Sequence, residues 1–260
     1  MARIAAAFAA TKAAGRAAFI GYLPAGFPTR AGFLAAARTI LDHADVLEVG
    51  LPFSDPLGDG PTIQRAGEAA LAGGMSAKGT LETVAELRSF TQKPLLVMTY
   101  YNPIYCYPGG EAGFMRELKE AGGDGVILPD LPPDEAESLI VAARAAEVDT
   151  VFLVAPTSTA KRLELVTAAC RGFVYAVSVT GVTGARDRLG ADVAELVRRC
   201  HELTDLPVAV GFGVASRATA KAVAEFADGV VVGSALVEAA QRGTDLEELC
   251  RELAAGCVRA

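Results

Sequence analysis

The sequence predicts an α/β fold, a (β/α)8 or TIM barrel with a short extra helix at its N-terminus. Three observations predict it. Eight short runs of aliphatic and β-branched residues recur along the chain. A longer amphipathic stretch follows each of them, the pattern of βαβ units and a parallel sheet. The length, 260 residues, is that of one such barrel. An open doubly wound sheet shares the alternation, but a count of eight favours closure. No stretch rich in Ser, Pro or charge divides the chain, so a single domain, 1–260, is expected.

The elements follow in order. The alanine-rich lead-in places Ile4 and Phe8 four residues apart, one face of a short amphipathic helix. Its apolar run is short, and Lys12 and Arg16 follow closely, which argues against a secretory leader. Strands are expected at 18–22, 46–50, 95–99, 125–128, 150–154, 173–178, 208–211 and 230–233. Helices are expected at 31–41, 80–90, 112–121, 134–146, 160–169, 191–203 and 217–226, with 245–255 closing the chain. Turn chemistry supports these bounds. Gly122-Gly123 suits a helix C-terminus. Asp124-Gly125 and Asp228-Gly229 each feed a strand. Pro94 and Pro207 precede strands, where a missing N–H costs little.

Composition removes several function classes. The net charge is −7 with no basic stripe, so no nucleic-acid partner is expected. No uncharged apolar run approaches the ~18 residues of a membrane span. The five cysteines are odd in number and irregular in spacing, with no CxxC pair. Neither a zinc site nor a disulfide framework is implied, and reduced thiols in a cytoplasm are the plain reading. His43 and His201 both fall in helix or helix-end patterns, away from strand tops. No HExxH, Walker A or GxSxG stretch occurs, so no metal is expected.

Active sites of such barrels lie at the C-terminal ends of the strands. In the second strand, alternation puts Val46, Glu48 and Gly50 on one face and Leu47, Val49 and Leu51 on the other. The aliphatic trio should meet the helices, leaving Glu48 inside near the top. A carboxyl there is desolvated and its pKa rises towards a value useful for proton transfer. The alternative is a buried structural ion pair, but no basic residue is evident at a strand top to form it. The loop after this strand, 51–64, carries Asp55 and Asp59. The loop after strand six, 179–190, is spaced with glycines, as a lid or as an ordinary exposed loop. Gly211-Phe212-Gly213 and Gly233-Ser234 put glycines at strand ends before helices, as plain tight turns or as a phosphate site. The first resembles a dinucleotide fingerprint, but it sits late in the chain and ends at Ser216.

The run Leu47-Glu48-Val49-Gly50, followed by the 52–64 stretch from Pro52 to Gln64, resembles the signature of the tryptophan synthase α-subunit family. Pro129-Asp130-Leu131-Pro132, Val182-Thr183-Gly184, Gly211-Phe212-Gly213 and Gly233-Ser234 resemble other family loops in the same order, over essentially the whole chain. The resemblance implies a lyase that cleaves indole-3-glycerol phosphate to indole and glyceraldehyde 3-phosphate by a retro-aldol reaction. It implies that Glu48 is the acid–base residue and Asp59 the second carboxylate. Asp59 would accept from the indole N–H, whereas its plain reading is a turn aspartate. Thr183 would hydrogen-bond Asp59. Tyr22, Tyr100, Ile127 and Phe212 would wall the indole pocket. Tyr175 would stand near the site, or serve as a core tyrosine. Gly184, Gly213, Gly233 and Ser234 would hold phosphate. No cofactor of its own is implied; pyridoxal phosphate would belong to a partner β subunit in an α2β2 complex, met through Asp55, Pro56, Asn102 and Pro103. Gly58, Tyr22 and Val179 depart from the family pattern, where alanine, phenylalanine and a polar residue are expected. Another phosphate-binding barrel isomerase and a weakly active regulatory subunit are the competing readings.

Overall fold

A computed structural model describes residues 2–177, 186–211, 213–243 and 245–259, with the backbone alone over 186–190. Eight parallel strands close on themselves: β1 (Ala18–Pro24), β2 (Val46–Gly50), β3 (Leu95–Met98), β4 (Gly125–Leu128), β5 (Asp149–Val154), β6 (Val174–Val177), β7 (Val208–Gly211) and β8 (Gly229–Val232). β8 pairs back onto β1, with Ala18 opposite Gly229. All eight expected strands are present, each within two residues of its predicted bounds, and closure excludes the open sheet.

The helices are α1 (Arg3–Ala13), α2 (Arg30–His43), α3 (Pro61–Ala72), α4 (Ala77–Arg88), α5 (Tyr101–Tyr105), α6 (Gly110–Glu120), α7 (Glu137–Ala145), α8 (Ala160–Ala169), α9 (Arg186–His201), α10 (Arg217–Ala224), α11 (Ser234–Arg242) and α12 (Leu246–Gly256). Three of these, α3, α5 and α11, are not predicted by the sequence. α3 starts at Pro61, inside the Gly- and Pro-rich stretch 51–64 that reads as a loop. α5 has five residues, too few for a periodicity. α11 starts directly at Ser234, inside what reads as a loop. The helix expected at 134–146 is broken at Ala136 into a 3₁₀ turn, Pro133–Glu135, and α7. α4 begins three residues early because Ser76 accepts from the Gly79 N–H at 3.1 Å and caps it.

Two apolar layers follow from strand alternation. Leu47, Val49 and Leu51 pack outward against the helices, while Val46 joins the barrel interior with Ile20, Leu96, Ile127, Val151 and Val231. α1 seals the bottom, with Ile4 fully buried and Phe8 inside the same cluster. A column of rings rises from it: Phe8 to Phe173 at 5.5 Å between centroids, then Phe173 to Tyr175 at 6.3 Å.

The bottom rim repeats one device. Asp45, Asp124 and Asp228 each precede a strand, and each accepts the N–H of the strand before it: Phe19 at 2.8 Å, Leu95 at 2.9 Å and Val208 at 2.9 Å. Arg16 clamps Asp45 with two bonds, at 2.6 and 2.7 Å, and Arg88 donates to Asp124 at 2.7 Å. These aspartates hold strand register at the end away from the chemistry.

Candidate active site

Glu48 stands on β2 between Tyr22 of β1 and Leu96 of β3 in the strand register. Its side chain is fully buried, and neither carboxyl oxygen has a hydrogen-bond partner among the described residues. Among the described residues it forms no ion pair. Burial alone lifts its pKa from 4.5 to about 8, so it is a neutral acid near neutral pH.

The phenols of Tyr22 and Tyr175 flank it. Burial, followed by the neighbouring carboxyls, raises both pKa values well above the ordinary phenol range, so both stay protonated. Two glycines make room for them. A Cβ on Gly50 would come within 2.4 Å of the Tyr22 hydroxyl, and one on Gly211 within 2.4 Å of the Tyr175 hydroxyl. Gly50 shares its face with Glu48, so the same alternation that aims the acid inward also clears the ring beside it.

Asp59 is held in the segment between β2 and α3. Its N–H donates to the Pro56 carbonyl at 3.2 Å, and its own carbonyl accepts from Gln64 Nε2 at 3.0 Å. Beneath it, the Tyr100 hydroxyl accepts from the Gly58 N–H at 2.9 Å, and the Tyr100 ring lies 5.4 Å from that of Phe53. Burial raises the Asp59 carboxyl to about 6, while the Tyr100 hydroxyl pulls the other way by favouring the carboxylate. A Cβ at Gly58 would lie 3.3 Å from the Tyr100 hydroxyl, so alanine at 58 would crowd this contact.

A cavity of about 440 Å³ joins these groups, with Tyr22, Glu48, Asp59 and Tyr175 on its walls. Ile63, Leu153 and Val231 supply apolar lining that sequence reasoning missed. Leu153 was legible, since it follows the inward-facing Val151 by two; Ile63 was not, because it rides on the unpredicted α3. Two of the expected wall residues do not line this cavity. Ile127 belongs to the fully buried interior layer, and Tyr100 lines a small adjoining hollow with Tyr22 and Asp59. Phe212, Thr183 and Gly184 lie outside the described residues.

Gly213, Gly233 and Ser234 line the far end of the cavity. The two loops there differ in one respect. α10 is capped by its own Ser216, in a reciprocal box with Thr219. α11 has no side-chain cap and no acidic residue in its first turn. Its leading N–H groups lack intrahelical acceptors, and the positive end of its dipole opens on the cavity. That end suits an anion.

Asp55 and Asn102 are exposed, and Pro56 and Pro103 partly so, on the β2–α3 segment and α5. No local pattern singles out Leu57 and Tyr105, which stand 95% and 64% exposed on those two segments.

A closed parallel barrel, a neutral buried acid sharing a cavity with a second carboxyl, and an open helix end that suits an anion are the features of a barrel enzyme. A family model described as "Tryptophan synthase alpha chain" matches residues 8–258. The tryptophan synthase alpha chain of Deinococcus radiodurans is 54% identical over 260 residues, covering 99% of this chain and 95% of that one. That of Mycobacterium tuberculosis H37Rv is 49% identical over 256 residues, covering 98% and 94%. Among solved structures, M. tuberculosis tryptophan synthase in space group F222 is similar with a TM-score of 0.92 at 47% identity, covering 100% of this chain and 99% of that one. The alpha subunit of the Legionella pneumophila Paris enzyme gives 0.88 at 34%, covering 98% and 97%. The chain belongs to the tryptophan synthase alpha chain family, and its activity is the α reaction of tryptophan biosynthesis, a lyase step.

Proposed function

We propose that Glu48 is the proton shuttle of that step, acting on indole-3-glycerol phosphate. As the neutral acid it protonates indole C3, and the ring nitrogen becomes positive. As the resulting carboxylate it takes the proton of the hydroxyl on the adjoining side-chain carbon. The carbon–carbon bond breaks, its electrons return to the ring, and the alkoxide carbon becomes the aldehyde of glyceraldehyde 3-phosphate. Glu48 ends protonated, as it began. A carboxyl near pH 8 can act in both directions. Asp59, ionised above about pH 6, accepts from the ring N–H and stabilises the cationic intermediate. Gly213, Gly233 and Ser234 hold the phosphate at the uncapped end of α11. Gly184 and Thr183 are carried over from the family as phosphate and Asp59 contacts.

The single observation that carries this reading is a fully buried carboxyl with no partner among the described residues, in the same cavity as Asp59 and the open end of α11. Replacing Glu48 with Gln tests it. Indole release from indole-3-glycerol phosphate should be lost while binding of the substrate persists; full activity in the variant refutes the assignment.

The chain acts as one domain, 1–260, in the cytoplasm, in an α2β2 complex whose β subunit carries the pyridoxal phosphate. No helix among the described residues is long and apolar enough to cross a membrane. Support for the docking face comes from Leu57 and Tyr105, large apolar side chains exposed beside Asp55, Pro56, Asn102 and Pro103. Co-purification with a β subunit, lost on Leu57→Asp, checks it.

A further inference from the structure

We propose that Glu238 is a selectivity residue that weakens the hold of the site on phosphate dianions and so speeds their release; this rests on the reading of the α11 end as the phosphate seat. Glu238 lines the cavity and follows Ser234 by four residues on α11. That spacing puts it on the same helix face, about 6 Å along the axis. Its side chain is 47% exposed. Oε1 accepts from Thr62 Oγ1 at 3.2 Å, and Oε2 lies 3.7 Å from the exposed guanidinium of Arg242.

Two features give this carboxylate its effect. First, no Lys, Arg or His is found among the described residues that line the cavity. Among the described residues, favourable charge at the α11 end comes from backbone N–H groups, about half a unit for a helix terminus. A full negative charge one turn away opposes a seated dianion. Arg242 screens it only partly, as an exposed pair does. Second, the Thr62 bond fixes where the charge sits. Thr62 is in the first turn of α3, which has no side-chain cap at Gly60 and no acid of its own in that turn. Glu238 supplies the missing negative group from a different helix. The carboxylate is thus anchored at the rim rather than free to swing into solvent.

The test measures binding of glycerol 3-phosphate to the full chain, alone and with its β subunit, for wild type, Glu238→Gln and Thr62→Val. Removing the charge should tighten binding roughly threefold to tenfold at low salt, and the gain should shrink to under about twofold near 0.5 M salt, as screening requires. KM for the substrate should fall with it, without a rise in kcat. Thr62→Val keeps the charge but frees it from the rim, and should tighten binding by less than Glu238→Gln does. Unchanged or weaker binding in Glu238→Gln overturns the proposal, as does equal tightening in both variants, which would make the contact structural. If neither wild type nor Glu238→Gln binds glycerol 3-phosphate while both bind indole, the phosphate seat itself is misassigned and the proposal falls with it.

Discussion

Replacing Glu48 with glutamine removes a titrating group from the barrel and changes its volume hardly at all. The carboxyl titrates near 4.5 in the unfolded chain and near 8 in the folded one. Below pH 4.5 both states hold the proton and the group is neutral towards stability. As pH rises towards 8 the unfolded chain releases the proton and the folded chain does not, so stability falls across that window and levels off above it. Each pH unit is worth about 1.4 kcal/mol, so the whole gap comes to roughly 5 kcal/mol at most. Water entry and relaxation around a cavity-facing carboxyl leave about half. Glutamine never ionises, so the variant should unfold at nearly the wild-type temperature at pH 5 and about 5–10 °C higher at pH 8.5. Thermal unfolding of both proteins in buffers from pH 5 to pH 8.5 reads this directly. Curves that stay parallel across the range would show that Glu48 ionises normally in the folded protein, and the burial argument would fail. The gain in stability should accompany loss of indole release, since the same desolvation serves the chemistry.

Other outcomes follow from the same geometry. The profile of kcat/KM against pH should be bell-shaped, rising through about 6 as Asp59 ionises and falling through about 8 as Glu48 loses its proton; a steady rate beyond pH 9 would remove Glu48 as the acid. Tyr100→Phe takes away the acceptor for the Gly58 N–H and the hydroxyl that favours the Asp59 carboxylate. Its rising limb should move to higher pH and kcat should drop by roughly tenfold, a cost of about 1.4 kcal/mol. Gly211→Ala drives a methyl to 2.4 Å from the Tyr175 hydroxyl and should cost about 1–3 kcal/mol in denaturant unfolding. Adding Tyr175→Phe removes the nearest atom and should restore part of that loss. Ile4→Ala, at the sealed bottom, should cost about 2–4 kcal/mol while leaving KM unchanged, because it is fully buried at the end away from the site.

Much of this molecule was legible in one dimension because two of its rules are local. A strand alternates its faces, so Val46-Leu47-Glu48-Val49-Gly50 announces an acid on the inside of an aliphatic strand. Glycine and aspartate at strand boundaries announce turns, and Asp45, Asp124 and Asp228 turn out to hold register there as well. Three helices were not legible: α5 is too short for a period to form, and α3 and α11 start inside stretches that read as loops. With α3 went Ile63, and with α11 went Glu238.

The sequence by itself determined the eight strands, the inward direction of Glu48 and the loops in which its companions sit, since each depends on neighbours a few residues away. Tertiary structure alone decided how those loops meet. Closure of β8 on β1 brings the phenols of Tyr22 and Tyr175 around one carboxyl. It sets Tyr100 under Gly58, forty-two residues away, and Glu238 against Thr62 across 176. It leaves Glu48 without a partner among the described residues, and that is a property of everything around a residue that no local pattern records. The raised pKa of Glu48 is therefore a fact about the closed barrel: the strand aims the carboxyl inward, and the enclosure takes away its water.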